Sequence, residues 1–160
     1  MLNITLICIG KCKEPYLQAA CGEYQKRLKT LCKCSVVELA PERLPEAPSD
    51  AQIAAALEKE GRRILEKVPA GAALISMCIE GKQLSSEALA KQLSAFAVSG
   101  TGNLAFVIGG SFGLADAVKQ KSALRLSVSP MTFPHQLFRV MLLEQIYRAL
   151  QINAGAKYHK

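Results

Sequence analysis

Residues 103–149 run NLAFVIGG, SFGLADAVKQKSA, LRLSVSPMTF and PHQLFRVMLLEQIYRA. The first piece is a wholly apolar strand that ends in Gly109-Gly110. A short helix follows, then a second strand that passes into a Ser/Pro/Thr-rich loop, and a long helix closes the stretch. A continuous apolar strand must be covered on both faces, which belongs to parallel sheets flanked by helices. The candidate ligand site is the pair of loops where these two strands end.

The chain upstream repeats the alternation. LNITLICI at residues 2–9 is a second both-faces strand. A helix from about Glu14 to Thr30 follows, with Pro15 tolerated in its first turn. Leu17, Ala20, Cys21, Tyr24 and Leu28 form its apolar stripe, and Lys26, Arg27 and Lys29 lie on or beside the opposite face. Cys34–Leu39 is the next strand. The proline-rich APERLPEAPSD is a loop, and Ser49 with Gln52 forms a capping box that opens a helix over Asp50–Lys67. Gly61 costs that helix up to about 1 kcal/mol relative to alanine. Ala72–Cys78 is a third apolar strand ending at Glu80-Gly81, and Ser85 caps a helix reaching Val98. Five strands alternating with five helices predict an α/β domain over residues 1–160, with a mainly parallel sheet and helices on both faces. Ligands in such sheets bind beyond the carboxyl ends of the strands, here Met77–Gly81, Gly109–Gly113 and Ser127–Phe133.

Composition and charge narrow the class. A hydrophobic fraction of 50% with 21% charged residues is that of a globular domain. No apolar run approaches the roughly 20 residues that span a bilayer. MLNITLICIG has no basic n-region and no small-residue cleavage site, so it is expected to be a strand and the location cytoplasmic. The net charge is +7, and it gathers at the ends of the chain. Residues 1–34 hold six Lys/Arg against two Glu, and residues 117–160 hold seven against one. That distribution suits a polyanion such as RNA. The six cysteines show no pair of CxxC knuckles and lie far from His135 and His159, so reduced thiols are expected and metal is not.

The loops limit the chemistry further. Gly109-Gly110-Ser111-Phe112-Gly113 is neither GxGxxG nor a Walker A loop, and the acidic residue of a dinucleotide fold is absent where it should stand. Its glycines permit close backbone approach and positive φ. In Ser127–Pro134 two prolines stiffen a strand end, so backbone N–H and C=O groups point in fixed directions, as an adenine ring requires. Val128, Met131 and Phe133 could line an apolar slot for it; a plain hydrophobic strand-to-helix turn has the same spacing. His135, in the first turn of the last helix, is expected to be a neutral structural imidazole. Along that helix Glu144 and Arg148 form an i, i+4 pair, and Phe138, Met141, Leu142, Gln145 and Ala149 make a face broad enough for both the sheet and a second subunit. The chain ends KYHK, which places Tyr158, His159 and Lys160 together.

FVIGGSFGL at 106–114, LSVSPMTFPHQLFRVMLLEQIYRA at 126–149 and the terminal KYHK resemble the RlmH-type methyltransferases of large-subunit ribosomal RNA, members of the SPOUT class. ITLICIGKCKEPY, EYQKRL and KEGRRIL carry the similarity across the whole chain. The resemblance implies a C-terminal trefoil knot, a homodimer and S-adenosyl-L-methionine as cofactor. It implies methylation of N3 of a pseudouridine in 23S rRNA on the assembled ribosome. Carried over by motif, the cofactor would be held by Met77, Gly109, Val128, Ser129, Pro130, Met131, Thr132 and Phe133. Arg148, Tyr158 and His159 would act on the target nucleotide. Family members often have leucine and an acidic residue where this chain has Met77-Cys78, a swap that contacts made by backbone tolerate. An RNA-binding assembly factor on the same fold, without catalysis, is the alternative from another class. An ordinary doubly wound nucleotide-binding enzyme is disfavoured by the failed fingerprint.

Overall fold

In the computed structural model, which describes residues 1–159, five strands form one sheet in the order β2-β1-β4-β3-β5, every pairing parallel. The elements are β1 (Asn3–Ile9), α1 (Pro15–Leu28), β2 (Lys33–Leu39), α2 (Asp50–Lys67), β3 (Ala73–Gln83), α3 (Ser86–Val98), β4 (Asn103–Ile108), α4 (Asp116–Gln120), β5 (Leu124–Ser127) and α5 (His135–Asn153), with a closing 3-10 turn at Lys157–His159. β4 lies between β1 and β3, which explains why every residue of LAFVI is buried.

Strand periodicity sorts the core into two layers. Ile4, Leu6, Cys8, Phe106 and Ile108 pack beneath α1, α3 and α5. Ile7, Ile9, Ala105 and Val107 point the other way, onto Ile64 of α2 and Val118 of α4. Each large side chain buried in this way contributes roughly 1.5–3 kcal/mol relative to exposure.

The helix signals hold in detail. Ser49 accepts from the Gln52 N–H at 3.2 Å while the Gln52 side chain accepts from the Ser49 N–H at 2.9 Å, a complete capping box. Ser85 caps α3 through the Ala88 N–H at 3.1 Å. Gly61 also has a packing reason, since a Cβ there would lie 3.0 Å from Ala115 Cβ and 3.3 Å from Val118 Cγ2.

Two expectations need correction. β3 does not stop at Cys78 but runs to Gln83, and its register against β5 shifts between Met77 and Lys82. Gly81 makes this possible: a Cβ at that position would stand 2.7 Å from the Leu126 carbonyl carbon. The buried face of α5 is Arg139, Leu142, Leu143, Ile146, Ala149 and Leu150, rotated from the expected one. Phe138, Met141 and Gln145 fall beside it, half-buried, because α5 wedges between α1 and α3 and meets the sheet along the intervening line.

All six cysteines are free. Burial pushes the thiols of Cys8 and Cys32 up to about 12 and that of Cys21 up to about 11, so these behave as small apolar groups and not as nucleophiles. Among the described residues no helix is long and apolar enough to cross a membrane, and no group of three or more His, Cys, Asp or Glu is placed to hold a metal ion.

Candidate active site

The carboxyl ends of β3, β4 and β5 meet around a cavity of about 400 Å³. Of the eight cofactor candidates, Met77, Gly109, Val128, Ser129, Met131, Thr132 and Phe133 line it. Pro130 belongs to the same loop but is not part of the wall.

Two backbone devices shape the cavity. The turn after β4 closes through the Gly113 N–H donating to Gly110 O at 3.0 Å, with Gly113 at φ +84°. Gly109 faces this turn so closely that a Cβ would fall on the Gly113 carbonyl, 2.7 Å from its carbon. The loop after β5 is fastened by its own serines: Ser127 Oγ donates to the Ser129 carbonyl at 3.2 Å, and Ser129 Oγ accepts from the Met131 N–H at 3.0 Å. Proline stiffness and serine turns together hold the loop's remaining backbone groups in fixed directions.

The walls are mostly apolar. Phe112, Val128 and Met131 are 49%, 40% and 74% exposed, an unusual outlay of large apolar surface unless something covers it. Lys119 reaches the rim but lies 2.5 Å from Glu80, which neutralises it, and the lysine holds the Glu80 carboxyl below its usual range. His135 and Phe138 of α5 complete one side. Desolvation lowers the imidazole pKa of His135, in the direction that favours the neutral form. A cavity of this size with an apolar slot and convergent backbone groups suits a small-molecule ligand.

Arg148, Tyr158 and His159 are gathered elsewhere. Arg148 is bonded to Glu144 through Nη2 at 2.6 Å and Nε at 2.9 Å, and its guanidinium lies 4.8 Å from the centre of the Tyr158 ring. The Tyr158 ring meets Tyr147 edge-on at 4.8 Å, and its hydroxyl donates to Glu144 at 3.3 Å. Burial, then a hydrogen bond with Tyr24, raises the phenol's pKa. His159 Nε2 is 2.6 Å from Glu87 Oε1 on α3. None of the three lines the cavity of its own chain. Arg148 stands thirteen positions beyond His135 on α5, about 20 Å at 1.5 Å per residue. Lys160 lies outside the described residues.

A second groove of about 580 Å³ connects the two regions. It shares Leu126, Ser127 and Val128 with the cavity and extends past Met141 to Glu144 and Tyr24. At that end Arg27 of α1 sits 5.4 Å from the Tyr24 ring centre and 6.0 Å from that of Tyr147, with Lys26 and Lys29 exposed nearby in sequence.

The family model described as "Predicted SPOUT methyltransferase" matches residues 2–159. The chain belongs to the SPOUT methyltransferases. Its relatives include proteins named ribosomal RNA large subunit methyltransferase H. Those of Bifidobacterium animalis subsp. lactis and Bacillus cytotoxicus are 50% identical over 159 residues, and that of Clostridioides difficile is 48% identical over the same length. In each case the match covers 99% of this chain and 100% of the relative. A SPOUT methyltransferase needs a methyl donor. Sequence reasoning missed the Glu80–Lys119 pair, Phe138 and Glu87. These meet their partners only through packing across many residues, and no local spacing signals such contacts.

Proposed function

We propose that this SPOUT methyltransferase transfers a methyl group from S-adenosyl-L-methionine to N3 of a pseudouridine in 23S rRNA on the assembled ribosome, in the cytoplasm. The observation that carries the reading is the convergence of seven of the eight cofactor candidates on one cavity. The names of the full-length relatives supply the rRNA target. S-adenosyl-L-methionine, when bound, supplies a methyl group already activated on a sulfonium.

The protein's own residues then have three tasks. Val128, Met131 and Phe133 would hold the adenine ring, while backbone groups of Ser129–Thr132 take its polar edge. Gly109 lets the backbone approach the ligand, and the neutralised Lys119 places no free cation against a sulfonium. The target base must be stacked in line with the methyl carbon and relieved of its N3 proton. Tyr158 supplies the stacking ring. His159, in contact with Glu87, or Tyr158, in contact with Glu144, would assist removal of that proton. Arg148 neutralises charge that develops on the base oxygens.

The tail packs on Glu144, Tyr147 and Arg148 and does not line its own chain's cavity, which supports a homodimer in which each tail serves the other subunit's cavity. The groove contiguous with the cavity is the surface a second copy would cover. The C-terminal trefoil knot of the class belongs to the same reading. Exposed Lys26, Arg27 and Lys29 would hold rRNA phosphates. Transfer of labelled methyl to ribosomes that lack the modification tests the activity. Removing residues 158–160 should abolish transfer and leave calorimetric binding of S-adenosyl-L-methionine and S-adenosylhomocysteine intact; retained turnover overturns the role of the tail. Absence of cofactor binding by the whole protein would favour a non-catalytic RNA-binding assembly factor.

A further inference from the structure

Residues 10–14, which join β1 to α1, are tied down by side chains from three elements, α1, β2 and α5. Gly10 N–H donates to Leu39 O at 2.7 Å, and Gly10 O accepts from Arg139 Nη2 at 3.0 Å. Cys12 N–H donates to Glu38 Oε2 at 2.9 Å, and Cys12 O accepts from Gln18 Nε2 at 2.7 Å. Gln136 Oε1 accepts from both the Lys13 N–H at 2.8 Å and the Glu14 N–H at 3.1 Å. Behind the loop, Arg139 is 6% exposed and pairs with Glu38 at 2.7 Å. A buried arginine and three further polar side chains therefore immobilise this surface loop.

The loop holds out two lysines. Lys11 and Lys13 are exposed on either side of half-buried Cys12, and neither makes an ion pair among the described residues. Neither lysine lines the cavity, but the loop that carries them adjoins its wall. Gln136, which clamps the loop, follows His135 of the cavity wall. Ile9, which precedes the loop, stands so close to Gly110 of the wall that a Cβ there would be 3.2 Å from Ile9 Cγ2. Glu14 is the only other charged residue of the loop, and Glu38 is already committed to Arg139.

We infer that Lys11 and Lys13 form a preorganised phosphate-binding lip that seats the RNA backbone beside the methyl-donor cavity. The inference rests on the reading of the cavity as an rRNA methyltransferase site, and it names a surface distinct from the cationic face of α1. Each phosphate neutralised by a lysine releases counterions, so the affinity for RNA falls with salt by about 0.7–0.9 in log–log slope per contact. Fixing the lysines in advance reduces the ordering cost of binding.

The test is binding of the full-length protein to ribosomes across a salt series, with methyl transfer measured in parallel. Lys11→Ala/Lys13→Ala should raise the Kd about tenfold at low salt and flatten the log–log slope by about 1.4–1.8. Cofactor binding and thermal midpoint should not move, and Lys59→Ala/Lys67→Ala on α2 should leave the slope as it is. Gln136→Ala should weaken ribosome binding with the slope preserved, since both lysines remain but lose their support. An unchanged slope in the double lysine variant overturns the lip, even if methyl transfer proceeds. A flattened slope in a protein that transfers no methyl group upholds the lip and overturns the methyltransferase reading.

Discussion

Gly109 cannot carry a side chain without moving the backbone opposite it. The Gly113 carbonyl occupies the space a Cβ would take, with its carbon 2.7 Å away. Gly109→Ala is therefore expected to cost about 1–3 kcal/mol in denaturant unfolding, the range for overpacking a fitted site. It should also weaken S-adenosyl-L-methionine binding at least tenfold by calorimetry, because the displaced turn is a cavity wall. A variant that binds as wild type would show that the turn lies outside the donor site. At this scale the sequence was informative where backbone chemistry is written into residue type. Glycine at a strand end, serines two apart and two prolines after them mark a rigid loop whatever surrounds it. It was uninformative for Glu80, Lys119 and Glu87. A carboxylate or an ammonium looks the same in a helix whether its partner is solvent or a side chain forty or seventy residues away.

The elements show the same division between local and packed information. The box at Ser49 and Gln52 was legible because a cap is a short-range hydrogen-bond pattern. Gly61 was misleading in isolation, since helix propensity alone makes it a defect. Ala115, which caps α4, and Val118 within it press against Gly61, so Gly61→Ala should fail to gain the roughly 1 kcal/mol that propensity promises. Thermal unfolding is expected to show a lower midpoint; a rise would mean that α4 yields to a methyl group at no cost. The extension of β3 to Gln83 was not legible either. The polar residues Glu80 to Gln83 carry no strand pattern, and they pair only because Gly81 lets β5 come close. For α5 the apolar positions outnumber one face, so periodicity alone could not decide which stripe meets the sheet. A buried arginine within the true stripe made that choice harder.

For the molecule as a whole, strict alternation of strand and helix was enough to give a parallel sheet, while the order β2-β1-β4-β3-β5 had no signature in local pattern. Arg139 and Glu38 form one of the long-range ties between α5 and the N-terminal half of the chain, 101 residues apart. Burial alone would raise the Glu38 carboxyl, but the Arg139 hydrogen bond and the Cys12 N–H outweigh it and hold it below the usual range. A depressed folded-state pKa stabilises above the unfolded value near about 4.3 and is lost as pH falls through the folded value. Stability should thus hold from neutral pH to about 5 and decline below about 4.3. Glu38→Gln should flatten that acid limb when denaturant midpoints are followed over pH; an unaltered limb would assign it to other carboxylates. A last consequence belongs to α5. Its nineteen residues place a wall of the cavity at one end and the tail at the other, so the helix sets both the distance and the angular phase between donor and tail. One alanine inserted between Gln151 and Ile152 would turn the tail by about 100° and advance it about 1.5 Å. Four would return it to within about 40° of its bearing but some 6 Å farther on. If the tail completes a site, methyl transfer should be lost with one and partly regained with four, while cofactor binding stays level throughout.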